Sequence, residues 1–169
     1  MIFIKLLIIS LIIYVCSYLG FLKSKAYENR VISLKKFEEA LCMFKTKIEF
    51  TYEPIKDIFE DISILIYQNK ENVFKKASEN MKNLNLRTSW YDSVDTSEEG
   101  FLLEDKNVIK SLGKLLGKTD KTGQIREITL VENLIKAQIE KAEIEKNKNV
   151  KLYKTLGTVS GIGISIILI

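Results

Sequence analysis

The side chains that most often carry out catalysis are scarce in this sequence. Its 169 residues include no histidine and only two cysteines, Cys16 and Cys42. A histidine base, a histidine-containing triad and a histidine metal ligand are therefore excluded, and two separated cysteines do not make a structural zinc site. The sequence also lacks the GxxxxGK[ST] loop that binds nucleotide phosphates. We expect no enzyme, no cofactor and no bound metal.

One pair of neighbouring carboxylates, Glu104 and Asp105, has the residue types that general acid–base catalysis needs. The pair lies in the first turn of a helical pattern, where acidic side chains are common because they complement the helix dipole. We favour this helix-start interpretation. An enzyme domain tethered to a membrane remains an alternative that no motif supports.

A glycine-bracketed turn is the most specific motif of the chain. Gly117 suits the left-handed backbone conformation just past the end of a helix. Thr119, Asp120 and Thr122 can each cap the next helix, and Gln124 can complete a capping box. The turn either only joins two helices or also docks a partner. The candidate docking residues are Gly113, Gly117, Lys118, Thr119, Asp120, Lys121 and Gln124.

The elements around this turn are predicted to be helices. Apolar residues recur every three or four positions over residues 31–48, 55–66 and 73–84, as in helices with one buried face. Pro54 ends the first of these or opens the second. These patterns predict an all-α fold, an antiparallel helical bundle.

Three further expectations concern the interior and the edges of this bundle. Cys42 falls in a helical pattern and is expected to be a buried, small apolar residue. Trp90 and Tyr91 are expected to lie on a short helix that plugs the bundle. Residues 97–99 are expected to begin the helix that leads into the turn.

A long helix follows the turn. No proline or glycine interrupts residues 124–156, so the helix can extend for roughly 50 Å at about 1.5 Å per residue. One face is apolar, and the other carries many charges that most simply indicate a solvated surface. The helix is predicted to continue into an uncharged tail, residues 155–169, which is shorter than the ~20 residues that span a bilayer.

The amino terminus is the second apolar segment. Residues 1–22 contain a single charged side chain, Lys5, and are long enough to cross a membrane. We favour an uncleaved transmembrane helix over a signal peptide, because a basic start and a small-x-small cleavage site are not clear. Small residues suited to close packing between the two apolar segments are Cys16, Gly20, Gly157, Gly161 and Gly163.

Basic residues that flank both apolar segments predict the topology. They place residues 23–154 in the cytoplasm by the positive-inside rule. The expected domains are a transmembrane helix at 1–22, a cytoplasmic helical bundle at 23–154 and a membrane segment at 155–169. The net charge of +4 is mild and its basic residues alternate with acids, so nucleic-acid binding is not expected.

Several motifs, taken together, match one family pattern. The most specific part of the pattern is an acidic residue followed by G-x-x-LG-x-[ST]-D and then a glutamine. In this sequence its residues are Asp105, Gly113, Leu116, Gly117, Thr119, Asp120 and Gln124. A tryptophan, a small and an aliphatic residue are present as Trp90, Ser93 and Val94, and a Gly-rich tail follows Tyr153. The chain thereby resembles the stage III sporulation protein AB family of endospore-forming bacteria over nearly its whole length. The resemblance also implies that a helix begins near Tyr27 and Arg30. The sequence departs from the family at Leu112, where the family often has an aromatic residue.

The resemblance implies a subunit of the complex between the mother cell and the forespore, in the outer forespore membrane. The family's soluble domain is similar to the cytoplasmic domains of platform proteins in type II secretion and type IV pilus machines, which dock a motor ATPase. The implied function is a non-enzymatic platform required for sporulation. Its implied partners are the bilayer, a secretion-type ATPase and channel proteins of the same operon, with no small-molecule substrate and with homo-oligomerisation left open.

The resemblance also implies a mechanism, in which a rigid long helix transmits motion imposed by the ATPase. A different class of function stays as an alternative, a small membrane-permeabilising protein of the holin or toxin kind. It would require the apolar ends to dominate, whereas most of the sequence predicts a soluble bundle.

Overall fold

The computed structural model describes residues 2–114, 116 and 120–168. The described part contains helices and no strand, which confirms the all-α prediction. Its elements are α1 (Ile2–Phe50), α2 (Ile55–Leu65), α3 (Val73–Asn80), α4 (Leu86–Asp95), α5 (Leu103–Ser111), a 3-10 turn at Leu112–Lys114 and α6 (Lys121–Leu168).

The first helix, α1, is a single helix of 49 residues. The expectation of a new helix near Tyr27 and Arg30 is therefore wrong. Residues 21–30 contain neither glycine nor proline, so nothing in the backbone ends the helix once it has formed. Pro54 lies at the N-cap of α2, and thus opens the second helix rather than ending the first.

The chain divides into two compact units, one of residues 32–140 and one of residues 1–31 with 141–169. The first unit is the helical bundle. Its core is a cluster of aromatic rings from four helices, with centroids 5.2 to 6.4 Å apart. The fully buried rings of this cluster are Phe37, Phe44, Phe59, Phe74 and Trp90.

Trp90 lies at the centre of this cluster, as the sequence predicts. Its ring contacts those of Phe59 and Phe74 at centroid distances of 5.3 and 5.4 Å. Its indole Nε1 donates a 2.9 Å hydrogen bond to the carbonyl oxygen of Ile109 in α5. Burying the indole therefore leaves no donor unsatisfied, which is the usual requirement for tryptophan in a core.

Three apolar positions of the predicted helical patterns lie outside the core, contrary to expectation, and one of them is Leu84, which is 45% exposed past the end of α3. Cys42 is exposed, because it follows Leu41 by about 100° around α1 and so falls off the buried face. Leu65 is 67% exposed, because α2 ends there and the chain turns through Gln68 and Asn69 at positive φ. Tyr67 occupies the buried position instead.

The helix expected to begin at residues 97–99 begins instead at Leu103. Gly100 has a φ of 83°, a left-handed conformation that glycine adopts without strain, and the helix starts only after it. Glu99 therefore lies in a loop, where its carboxylate accepts a 2.8 Å hydrogen bond from the backbone N–H of Val73, the first residue of α3. A side chain predicted to start one helix thus stabilises the start of another.

The second unit is an antiparallel pair formed by the beginning of α1 and the end of α6. Successive contacts join Arg30 to Glu145 and Gly20 to Gly157, so the two segments run in opposite directions. Within α1, the stretch Leu7–Phe50 contains a window apolar enough to cross a membrane, with a mean hydropathy of 1.9. That candidate span is consistent with membrane association.

Candidate functional site

The segment before the turn is held by buried interactions. Asp105 is fully buried, and its Oδ2 accepts a 2.9 Å hydrogen bond from the backbone N–H of Leu102 at the start of α5. Asp105 therefore stabilises the first turn of this helix. The Glu104–Asp105 pair thus lies at a helix start, where the carboxylate of Asp105 has a structural role.

Gly113 lies in the 3-10 turn directly beneath Trp90. A Cβ atom at Gly113 would lie 2.7 Å from Cδ1 of Trp90 and 3.3 Å from Cε2 of Tyr91. No side chain fits there without displacing the indole from the aromatic core. Gly113 is buried and serves the packing of the bundle, so it does not offer a surface to a partner.

Asp120 lies at the surface and caps α6. Its Oδ1 accepts a 3.0 Å hydrogen bond from the backbone N–H of Gly123, and its carbonyl oxygen accepts one from the N–H of Gln124. Gln124 is half-buried, whereas Lys121 is exposed, with its Nζ 5.4 Å from the centroid of the Tyr52 ring. Of the candidate docking residues, Gly117, Lys118 and Thr119 lie outside the described residues.

Three exposed side chains therefore lie at this turn: the carboxylate of Asp120, the ammonium group of Lys121 and the aromatic ring of Tyr52. The Tyr52 side chain is 97% exposed. Asp120 leaves its second carboxylate oxygen free of the cap hydrogen bond to Gly123. Such a surface can form hydrogen bonds, ion pairs and aromatic contacts with a protein. Tyr52, which precedes α2, had no signal in the sequence that connects it to residue 121.

The small residues of the terminal pair approach one another at backbone distance. A Cβ atom at Gly20 would lie 2.5 Å from the carbonyl oxygen of Tyr153, and one at Gly157 would lie 2.8 Å from that of Cys16. A Cβ at Gly161 would lie 2.9 Å from Cα of Ile13. Glycine at these three positions lets the helix backbones come into contact.

The remaining candidates in the terminal pair differ. Cys16 takes part, because its Cβ lies 3.3 Å from the place of a Cβ at Gly161. Gly163 does not, because nothing lies within 4 Å of where its Cβ would be. Ser165 is buried, and its hydroxyl donates a 2.7 Å hydrogen bond to the carbonyl oxygen of Gly161.

Polar contacts follow the glycines along the same pair, and sequence reasoning missed them. Arg30 is 3% exposed and donates a 2.6 Å hydrogen bond to Oε2 of Glu145. The rings of Tyr27 and Tyr153 stack with centroids 5.8 Å apart. No local pattern in the sequence connects these partners, because more than 100 residues separate them in the chain.

In the bundle, the side chain of Tyr67 is buried and that of Glu99 is half-buried, and the charge of Glu99 affects the pKa of the Tyr67 hydroxyl. Burial raises the pKa of the Tyr67 hydroxyl well above its usual range, and the nearby negative charge of Glu99 raises it further. Burial likewise raises the pKa of Glu99, although hydrogen bonds from Val73 and Ser97 oppose that shift. Over the described ranges, no three acidic or cysteine side chains are grouped closely enough to hold a metal ion.

Comparison with known proteins agrees with this architecture. The family model of stage III sporulation protein AB matches residues 5–169. Stage III sporulation protein AB of Bacillus subtilis strain 168 is 25% identical over 162 residues, 94% of this chain and 95% of that protein. A solved structure of a stage III sporulation protein AB superposes with a TM-score of 0.63 at 19% identity, covering 71% of this chain and 98% of the other. The chain therefore belongs to the stage III sporulation protein AB family.

Proposed function

We propose that this sporulation protein is a non-enzymatic, membrane-anchored platform of the channel between mother cell and forespore. The terminal helix pair anchors it in the outer forespore membrane, and the bundle lies in the mother-cell cytoplasm. The anchoring is supported by the apolar candidate span in α1. It is also supported by the glycine contacts of the pair, which suit helix association in lipid.

We further propose that the bundle docks a secretion-type ATPase at the turn before α6. The observation that carries this proposal is the exposed group of Asp120, Lys121 and Tyr52 at the start of α6. Buried residues hold the preceding segment in place, because Gly113 is packed beneath Trp90. Charged groups on a fixed backbone lose little conformational freedom on binding, which favours recognition.

The proposal predicts that the charge of Asp120 contributes to docking beyond its role as a cap. Asp120→Ala removes both the charge and the cap, at a cost of about 1 kcal/mol in helix stability. Asp120→Asn removes the charge and keeps a good N-cap. Both variants of the full chain, in detergent, are compared with wild type for co-purification with the sporulation ATPase, after circular dichroism shows equal helix content.

We expect both Asp120 variants to bind the ATPase more weakly than wild type. Binding that is lost in Asp120→Ala but retained in Asp120→Asn would show that only the cap matters, and would remove Asp120 from the interface. Lys75→Gln on α3 provides a control, because it changes one charge at a distance along the chain from the turn. Failure of the wild-type chain to bind the ATPase would contradict the docking proposal itself.

A further inference from the structure

The basic residues of the chain are concentrated beside its apolar ends. Residues 32–140 contain 17 basic and 19 acidic side chains, a small negative balance. Residues 23–31 together with 141–154 contain eight basic and only three acidic side chains. The overall charge of +4 therefore comes from the terminal pair, next to the segments that are uncharged.

Five of these eight basic residues form no ion pair within the described part of the chain: Lys23 and Lys25 on α1, and Lys146, Lys148 and Lys151 on α6. Lys154 lies 3.4 Å from Glu28, and Arg30 lies 2.6 Å from Glu145, so the nearby acids are already engaged. Among the residues that the structure describes, no carboxylate forms an ion pair with Lys146, Lys148 or Lys151. Their positive charges are available to an anion from outside the chain.

The three lysines line two adjoining clefts on the terminal pair. The larger cleft has a volume of about 390 Å³ and the smaller one about 280 Å³, and both include Asn147 and Lys151. The smaller cleft is lined by Lys146 and also by Glu28, whose carboxylate is paired with Lys154. The larger is lined by Asn147, Lys148, Lys151, Leu152, Thr155 and Leu156.

The lining of the larger cleft changes from basic to apolar along α6. Five of these positions share one helix face, because four of them follow residue 148 by three, four, seven and eight residues. They are residues 148, 151, 152, 155 and 156. The lysines come first, and then Leu152 and Leu156, which are 48% and 49% exposed. The exposed Val159 continues this face into the uncharged tail.

We propose that this cleft binds an anionic phospholipid, with the headgroup phosphate at Lys148 and Lys151 and an acyl chain along Leu152 and Leu156. The order of charge and then apolar surface matches the order of headgroup and then chain in a lipid. The Thr155 hydroxyl and the Asn147 amide supply neutral hydrogen-bonding groups beside the lysines. The inference rests on the proposed membrane anchoring and not on ATPase docking.

An anionic lipid is favoured over other anions by where the cleft lies. Thr155 begins the uncharged tail, and Lys151 precedes it by one helical turn, about 6 Å along the axis. At that depth a basic side chain reaches the phosphates of a bilayer while its methylene groups remain in apolar surroundings. A soluble phosphate has no apolar group that could contact the exposed leucines of the cleft, whereas the acyl chain of a lipid has one.

The test uses the full chain reconstituted in phosphatidylcholine vesicles. Spin-labelled phosphatidylglycerol and spin-labelled phosphatidylcholine are the probes, and electron spin resonance measures how much of each is immobilised by the protein. Three proteins are compared: wild type, Lys148→Gln with Lys151→Gln, and Lys70→Gln with Lys82→Gln. The last pair is a matched control, since it removes the same charge from exposed positions of the bundle.

We expect wild type and the bundle control to prefer phosphatidylglycerol by about five-fold or more, since a basic residue near a membrane contributes a factor of that order. We expect the cleft variant to have a clearly weaker preference than wild type, because the other basic residues beside the apolar ends remain. Equal preference in all three proteins would overturn the proposal, as would an equal loss in both variants. Immobilisation of both lipids without preference would overturn this site while leaving the membrane anchor intact, whereas no immobilisation of either would overturn both.

Discussion

The helical bundle and the terminal helix pair use glycine and large apolar side chains in opposite ways. In the bundle, fully buried aromatic rings fill the core, and Gly113 makes room for one of them, Trp90. In the terminal pair, Gly20 and Gly157 make room for backbone, and large apolar side chains such as Leu11 and Val159 point outward at 56% and 58% exposure.

The proposed membrane anchoring of the terminal pair accounts for this difference. Water drives aromatic side chains into a common core, because burying their apolar surface is favourable. Lipid provides no such driving force between helices, so helices in a membrane associate by close packing of small residues and leave large apolar side chains outside. One chain, and even one helix, can therefore pack as helices do in water in one segment and as helices do in lipid in the next.

The largest effect that can test this comparison is loss of the central indole. Trp90→Ala removes a fully buried ring and the hydrogen bond to Ile109, and we expect the free energy of unfolding to fall by about 3–5 kcal/mol. Denaturant unfolding followed by circular dichroism measures it. Tyr52→Ala, at a site 97% exposed, is the control and should change stability by less than about 1 kcal/mol. Similar losses in both variants would refute an aromatic core centred on Trp90.

A smaller effect should come from filling the space beneath that indole. Gly113→Ala places a methyl group 2.7 Å from Cδ1 of Trp90, and we expect a loss of about 1–3 kcal/mol from overpacking. A shift in the fluorescence of Trp90, the only tryptophan, should accompany it. Gly163→Ala meets nothing within 4 Å and should leave both quantities unchanged. An unshifted emission in Gly113→Ala would contradict the contact between these residues.

The smallest effect should come from the half-buried carboxyl of Glu99. Burial raises its pKa above 4.5 in the folded state, so the folded chain binds the proton more readily than the unfolded chain. Its contribution to stability is therefore greatest below pH 4.5 and is lost as the pH rises through the raised pKa.

Comparison of Glu99→Gln with wild type isolates this contribution. We expect the difference in unfolding free energy between them to shrink or change sign as the pH rises from 4 to 8, measured by denaturant unfolding. Glu132 has a lowered pKa, from its hydrogen bond to Lys136, and its opposite pH dependence cancels in the difference. A difference that stays constant over this range would show that Glu99 titrates at its ordinary pKa.

The elements that sequence reasoning predicted well are those with strong periodicity. Leu34, Phe37, Leu41 and Phe44 repeat at helical spacing and all are buried, because successive turns in this part of α1 present the same face to the core. Asp120 was predicted as a candidate N-cap, and its carboxylate does accept a hydrogen bond from Gly123. Such features depend on residues a few positions apart, where local geometry determines the contact.

The features that sequence reasoning missed depend on tertiary contacts. Glu99 stabilises the start of α3, 26 residues earlier in the chain, and no local pattern connects it to Val73. Cys42 and Leu65 were placed on a buried face because helical periodicity alone does not give the edges of that face. The pairing of Lys121 with Tyr52 likewise joins two segments whose distance in sequence gave no signal.

The central claim, that the two terminal segments pair through their small residues, can be tested most directly with a disulfide. A Cβ atom at position 161 would lie 3.3 Å from the Cβ atom of Cys16, close to the Cβ–Cβ separation in disulfides. The other cysteine, Cys42, is exposed and can be replaced by serine. Gly161→Cys and Gly163→Cys are each made in that background. The full chain in membranes is oxidised, cleaved once between α2 and α3, and analysed without reductant.

We predict that oxidation joins the two fragments in Gly161→Cys and leaves them separate in Gly163→Cys, whose side chain meets nothing within 4 Å. A reductant should separate the joined fragments. Equal cross-linking in both variants would contradict the pairing of these segments through Cys16, Gly20, Gly157 and Gly161, as would no cross-link in a Gly161→Cys variant that keeps the helix content of wild type by circular dichroism.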